Sequence, residues 1–333
     1  MSHRLVTIVF SVLFLFPLLS HAAPYKYKRI GQKADAQTSP IAGTAMMGGG
    51  TDLDEAFRWL CEKAKGGDFL ILRVRGSNDY NRYVNGLCKL NSVATLVIPD
   101  RKAAQTPAVA DIVRQAEAVF IAGGDQSRYV NFWKGTLVED AINTHIAEGK
   151  PIGGTSAGLA VQGEFVYGAL GDKPKDNDLA SSDVLPNPYF NRVTLVRDFL
   201  KISQLRNTIT DSHFAKRDRM GRSLGFLARI MRDGWSKDPR EVAIDEKSAV
   251  LVEADGSAVV VGSGKGAYFL RPTQPPEICR EATPLTFLGI DVYKAPTGSR
   301  FDLGTWKGEG GSGYSLSVER GVVHSTQVNS SIY

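Results

Sequence analysis

Short apolar runs, each closed by glycine or proline, alternate with amphipathic stretches from Gly43 onward. Residues 44–47 end at Gly48-Gly49-Gly50, and residues 118–122 end at Gly123-Gly124. Residues 69–74, 95–99 and 151–154 are further runs of this kind. Between them, residues 52–65 carry Ala56, Leu60 and Ala64 at helical spacing, and 80–90 and 107–117 also read as helices. Strands apolar on both faces and interleaved with helices belong to a sheet covered on both sides. The pattern therefore predicts an α/β fold: a doubly wound, mostly parallel sheet with helices on both faces. Past Gly168 the pattern changes. Residues 172–188 are polar and read as a loop. From Ala243 the runs are short, at 249–253, 258–262 and 267–270, and predict a C-terminal antiparallel β extension on the same domain.

The N-terminus reads as a targeting segment. Arg4 precedes an apolar run at 5–19, and Ser20-His21-Ala22 offers small residues at a cleavage site. The run is short of the roughly 20 residues that span a bilayer, although an uncleaved anchor is the competing reading. The expected organisation is a signal peptide at 1–22, an extended lead-in at 23–42, and a single α/β hydrolase domain with a β-rich C-terminal part at 43–333. The expected location is secreted or periplasmic, with no membrane association after cleavage. The net charge of +5 is dispersed, so no nucleic-acid partner is expected. Past residue 22, His145, His213 and His324 and the scattered Cys61, Cys88 and Cys279 show no metal-ligand spacing, and no metal is expected. An odd cysteine count leaves at least one unpaired, and the sequence does not choose a bridge.

Gly154-Thr155-Ser156-Ala157-Gly158 follows an apolar strand and precedes a helix-compatible stretch. A nucleophile elbow needs this context, with a serine strained at a tight turn between small neighbours. The Ala157 N–H is the nearest backbone donor for an oxyanion. Of the three histidines, His213 sits nearest a strand end and is the best base, while His145 lies mid-helix and reads as solvated or core-packed. Arg217, Arg219 and Arg222 follow His213. Three cations at a helix start oppose its dipole, which suggests a pocket for an acidic group, since guanidinium forks bind carboxylates bidentately.

These segments resemble the serine peptidase family that contains cyanophycinase and the aspartyl dipeptidases, and its cyanophycinase branch most. The elbow reads G-T-S-A-G, the preceding turn reads G-G-D-Q at 123–126, and 211–222 matches D-Q-H-F-x-x-R-x-R-x-x-R at every position but Ser212. Ala243-Ile244-Asp245-Glu246 also resembles the family. The resemblance implies Ser156 as nucleophile, His213 as base, and an oxyanion hole from Gly124 and Ala157. It implies Gln126, Asp211, Arg217, Arg219 and Arg222 as substrate-binding residues. It further implies a class-I glutamine amidotransferase-like fold, commonly a homodimer, with no cofactor. For the third catalytic member it points to Asp172, with Glu164 and Asp176 as alternatives. The expected activity is that of a serine-type exopeptidase on amide or isopeptide bonds of acidic, aspartyl peptides. Competing readings are an esterase of α/β-hydrolase type and a non-catalytic binding protein on the same scaffold. Ser212 in place of glutamine puts recognition of a β-aspartyl-arginine backbone in question.

Overall fold

The computed structural model describes residues 24–171 and 178–333. The leader at 1–22, Asp172 and Asp176 lie outside the described residues. In chain order, β1 (Lys26–Gly31) and β2 (Gly43–Met47) precede α1 (Asp54–Lys63), β3 (Asp68–Arg73), α2 (Asp79–Leu87) and β4 (Ser92–Val97). Then follow α3 (Arg101–Ala104), α4 (Pro107–Gln115), β5 (Ala118–Ile121), α5 (Gln126–Trp133), α6 (Leu137–Ala147) and β6 (Ile152–Thr155). Strands β4, β3, β5, β6 and β2 lie side by side and parallel.

Successive side chains of a strand point to opposite faces, and the apolar runs supply both. Phe69, Ile71 and Phe120 pack with Phe57 and Leu60 of α1. Leu70, Leu72 and Ile121 face the other way, onto Val109, Trp133 and Ile142 of α4, α5 and α6. This is the predicted doubly wound parallel centre with helices on both faces. Local chemistry starts the helices: Pro107 opens α4, and the Asp125 side chain accepts the Ser127 N–H at 3.0 Å to cap α5. Part of the lead-in is itself structured, because β1 pairs antiparallel with β4 at the sheet edge.

The second half begins with α7 (Ala157–Ala160), β7 (Phe165–Tyr167), α8 (Ser181–Val184), β8 (Leu195–Arg197), β9 (Thr208–Asp211) and α9 (Met220–Arg232). The strands β10 (Arg240–Ile244), β11 (Ser248–Glu253), β12 (Ser257–Gly262), β13 (Ala267–Pro272) and β14 (Phe287–Ala295) follow. The last are β15 (Arg300–Asp302), β16 (Lys307–Glu309), β17 (Ser312–Glu319) and β18 (Val322–Ser325). The predicted β extension is divided between two sheets. Strands β11, β12, β15 and β16 continue the first sheet beyond β2, while β10, β13, β14, β17 and β18 join β7, β8 and β9 in a second. The chain crosses between sheets in the short turn at 245–247. Val242, Ile244 and Phe269 turn one face of the second sheet to the core shared with α4, α5 and α6. Ala243, Tyr268 and Leu270 turn the other to Leu224 and Leu227 of α9.

A disulfide joins Cys61 in α1 to Cys88 just past α2, and Cys279 is a buried free thiol. No helix among the described residues is long and apolar enough to cross a membrane.

Candidate active site

Strand β6 stops at Thr155 and α7 starts at Ala157, which leaves Ser156 alone in the turn at φ 53° and ψ −115°. An L-residue adopts such a conformation only when its surroundings over-determine it. The two flanking glycines show how. A Cβ on Gly154 would lie 2.5 Å from the Gly158 carbonyl oxygen, and one on Gly158 would lie 2.0 Å from that of Ile121. Main chain packs against main chain on both sides of the serine, and Ser156 N–H donates to Met47 O at 3.0 Å.

His213 follows β9 from the second sheet, also at a positive φ of 47°. Its N–H donates to Gly48 O at 2.8 Å, which moors it to the end of β2 in the first sheet. The imidazole Nε2 lies 2.7 Å from Ser156 Oγ, and Nδ1 lies 2.7 Å from Glu246 Oε1. An ionised carboxylate only accepts, so Nδ1 donates to Glu246 and the Nε2 lone pair faces the serine hydroxyl. Burial is the main cause that holds the imidazole below the ordinary histidine value, and Arg217 and Arg219 add to it against the opposing Glu246 bond. That same hydrogen bond holds Glu246 below the ordinary glutamate value. The glycine run at 48–50 walls in this pair. A Cβ on Gly49 would lie 2.5 Å from His213 Cε1, and one on Gly50 would lie 3.1 Å from Glu246 Cβ.

The carboxylate on His213 is Glu246, in the turn between β10 and β11, whereas Asp172, the acid that the resemblance implies, lies outside the described residues. Glu164, the described alternative, accepts the Asn207 N–H at 2.6 Å instead. The strand pairing is what brings Glu246 to His213. Asp211 and Ala243 are partners in the parallel pairing of β9 with β10, so residues just past both strands emerge at one sheet edge.

A cleft of about 220 Å³ opens at Ser156 and His213 and is lined also by Gly124, Gln126, Arg217 and Arg219. Gln126 opens α5 and donates to Tyr167 O at 3.3 Å. Gly124 lies three residues past the end of β5, and Ala157 is buried directly behind the serine. The arginines divide. Arg217 is half-exposed in the cleft, Arg219 lines it almost wholly buried, and Arg222 is buried behind it. Asp211 and Arg222, which the resemblance implies as substrate-binding residues, touch each other. Arg222 Nε and a terminal nitrogen donate to the two Asp211 oxygens at 2.8 and 2.6 Å. Arg219 at 3.1 Å and the Ser212 N–H at 2.8 Å complete the Asp211 shell. A carboxylate with its acceptor sites so occupied is a brace behind the pocket. Burial alone would raise the Asp211 carboxyl, but Arg222 and Arg219 outweigh it and hold it below its usual value.

A second carboxylate enters the cleft. Asp178 contacts Arg217 at 3.4 Å and Arg222 at 3.3 Å, and it also bonds Arg219. The other histidines stand apart. His145 is wholly buried with Nε2 2.9 Å from Pro151 O, and burial pushes it down to about 4. His324 is exposed on β18. No cluster of metal-ligating side chains occurs among the described residues.

Comparison with known proteins adds the following. The model of peptidase family S51 matches residues 80–185, which include the elbow and the Gly124 turn and stop short of His213. The cyanophycinases of Trichormus variabilis and Nostoc sp. are each 28% identical over 218 residues, covering 63% of this chain and 65% of theirs. That of Synechococcus elongatus is 29% identical over 176 residues, covering 53% of this chain and 48% of its own. The alignments thus span less than two-thirds of these relatives' length. Among solved structures, a peptidase from an acI-B1 actinobacterium aligns over 68% of this chain and 89% of its own at 20% identity, with a TM-score of 0.46.

Proposed function

We propose that the chain is a cyanophycinase-like peptidase of family S51, a serine peptidase acting on amide or isopeptide bonds of acidic, aspartyl peptides; the match of the family model to residues 80–185 and the similarity to cyanophycinases support this reading. The observation that carries this reading is the hydrogen-bonded series Ser156–His213–Glu246 at the mouth of an arginine-lined cleft. His213, neutral at neutral pH, accepts the Ser156 proton as Oγ attacks the amide carbonyl. Glu246 fixes the imidazole tautomer and stabilises the imidazolium that forms. The N–H groups of Gly124 and Ala157 are the donors for the tetrahedral oxyanion. His213 then protonates the leaving amine, and water releases the acyl-enzyme by the same steps in reverse. Arg217 and Arg219 receive the acidic group of the substrate, while Asp211 and Arg222 hold Arg219 in place. We further propose export to a secreted or periplasmic location. The leader-like N-terminus supports it, as does the Cys61–Cys88 disulfide, since such bonds persist in oxidising compartments.

The test is incubation of the purified protein with cyanophycin and a panel of aspartyl peptides and isopeptides, read by mass spectrometry, beside Ser156→Ala. Cleavage of acidic substrates is expected, with a loss on the order of 10⁴ to 10⁶ in kcat for the variant. Near-wild-type turnover by Ser156→Ala would remove Ser156 as nucleophile. Hydrolysis of short acyl esters alone would replace the peptidase with an esterase.

A further inference from the structure

The arginine cluster holds two carboxylates, and they differ in one respect. Asp211 is buried with 4% of its side chain exposed, whereas Asp178 keeps 42% exposed and lines the same cleft as Ser156 and His213. Removing Asp211 from its partners would strand a charge in the interior. Asp178 could leave its partners for water at a smaller cost than Asp211, since its carboxylate already stands half in solvent while only its partners Arg219 and Arg222 are buried. Three guanidinium groups face these two acids, so the cluster keeps a positive excess. One donor is also unused: Arg219 Nε is buried and has no hydrogen-bond partner among the described residues. A buried donor without a partner carries a desolvation penalty, which a better-placed acceptor would remove.

We propose that Asp178 is an internal ligand of the anion subsite and thereby a specificity-determining residue. Its carboxylate holds the place on Arg217 and Arg219 that the acidic group of a substrate takes, and binding is an exchange of one carboxylate for the other. This deepens the peptidase reading and rests on it for the nature of the substrate. A neutral side chain cannot replace Asp178 on the guanidinium groups and finds the subsite filled. A carboxylate can, and it alone gains the arginines. The subsite thus rejects uncharged groups by occupation as well as by lack of attraction.

The experiment is calorimetric titration of the purified protein with succinate at low salt, comparing wild type with Asp178→Asn. An internal competitor joined by charge-assisted bonds should mask binding by roughly tenfold to a hundredfold, so the variant is expected to bind succinate tighter by that factor. Adding Arg217→Ala to Asp178→Asn should remove most of the gain. Binding by the variant that is equal or weaker, or undetectable in both proteins, overturns the proposal. Asp178→Ser gives the same comparison if the amide disturbs the fold, and loss of folded protein in both variants would make Asp178 a structural brace and also overturn it. Calorimetry needs no turnover. Tighter succinate binding by a protein that cleaves no acidic peptide would keep the exchange and remove the peptidase. Cleavage with unchanged succinate affinity would do the reverse.

Discussion

Around Ser156 the first sheet works with main chain, whereas around His213 the second sheet works with charge. Gly154 and Gly158 let backbone meet backbone on either side of Ser156, and a carbonyl of β2 holds its N–H. On the other side, Glu246 orients the imidazole, and a buried lattice of Asp211, Arg219 and Arg222 supports the turn that follows it. Backbone packing admits no partial version, since a methyl group either fits or does not. Electrostatic support is graded, because each charge adds or removes an increment. The two halves should therefore respond differently to substitution.

The largest effect should come from the charged half and fall on stability. Arg222→Ala leaves Asp211 buried against Arg219 alone, and breaking a buried pair costs about 3–5 kcal/mol. Thermal and denaturant unfolding should register that loss; a variant as stable as wild type would show that the lattice is dispensable. Next is the backbone half. Gly49→Ala adds a methyl group where the imidazole stands, and if His213 is the base as proposed, misplacing it by an ångström is expected to lower kcat by about a hundredfold. Circular dichroism should show an intact fold, and unchanged kcat would mean that the glycine wall yields. Arg217→Ala touches the exposed edge of the charged half. It should lower kcat/KM on acidic substrates by roughly tenfold to a hundredfold with little change in melting temperature, and lysine should restore little of it. Equal losses on neutral substrates would place Arg217 outside substrate recognition. The smallest effect concerns pH. His213 is depressed, so its neutral form persists below the ordinary value of 6.5, and kcat/KM should fall only as pH drops through a value lower than that. Removing the repelling Arg217 should move this limb upward; a limb at or above 7 in the wild type would contradict the buried, neutral imidazole.

The elbow was legible in the sequence because everything it needs is local: an apolar strand, two glycines, a serine and a helix-compatible stretch within a dozen residues. His213 was legible by elimination among three histidines and by its place after a strand. Glu246 was not, because its partnership depends on β9 lying beside β10, and no local pattern states which strands are neighbours. The same limit hid the second sheet. The short strands after Ala243 were visible, but their division between two sheets is decided at the turn 245–247. Gly48-Gly49-Gly50 was read as a strand-ending turn, which it is. That it also shapes the chamber for His213 shows only when the ring is in place. The arginine spacing marked a cation cluster correctly but could not separate Arg217 and Arg219, which line the cleft, from Arg222, which braces it.

Glu246 rides on the crossing that carries the chain from β10 in the second sheet to β11 in the first, and its carboxylate meets His213 there. Both flanking strands are locked in register, β10 with β9 and β11 with β2. A residue inserted or deleted at 245–247 has nowhere to be absorbed without shifting one of these ladders or swinging the acid away. In the descent of such a chain, this crossing has to keep both its length and the carboxylate at Glu246.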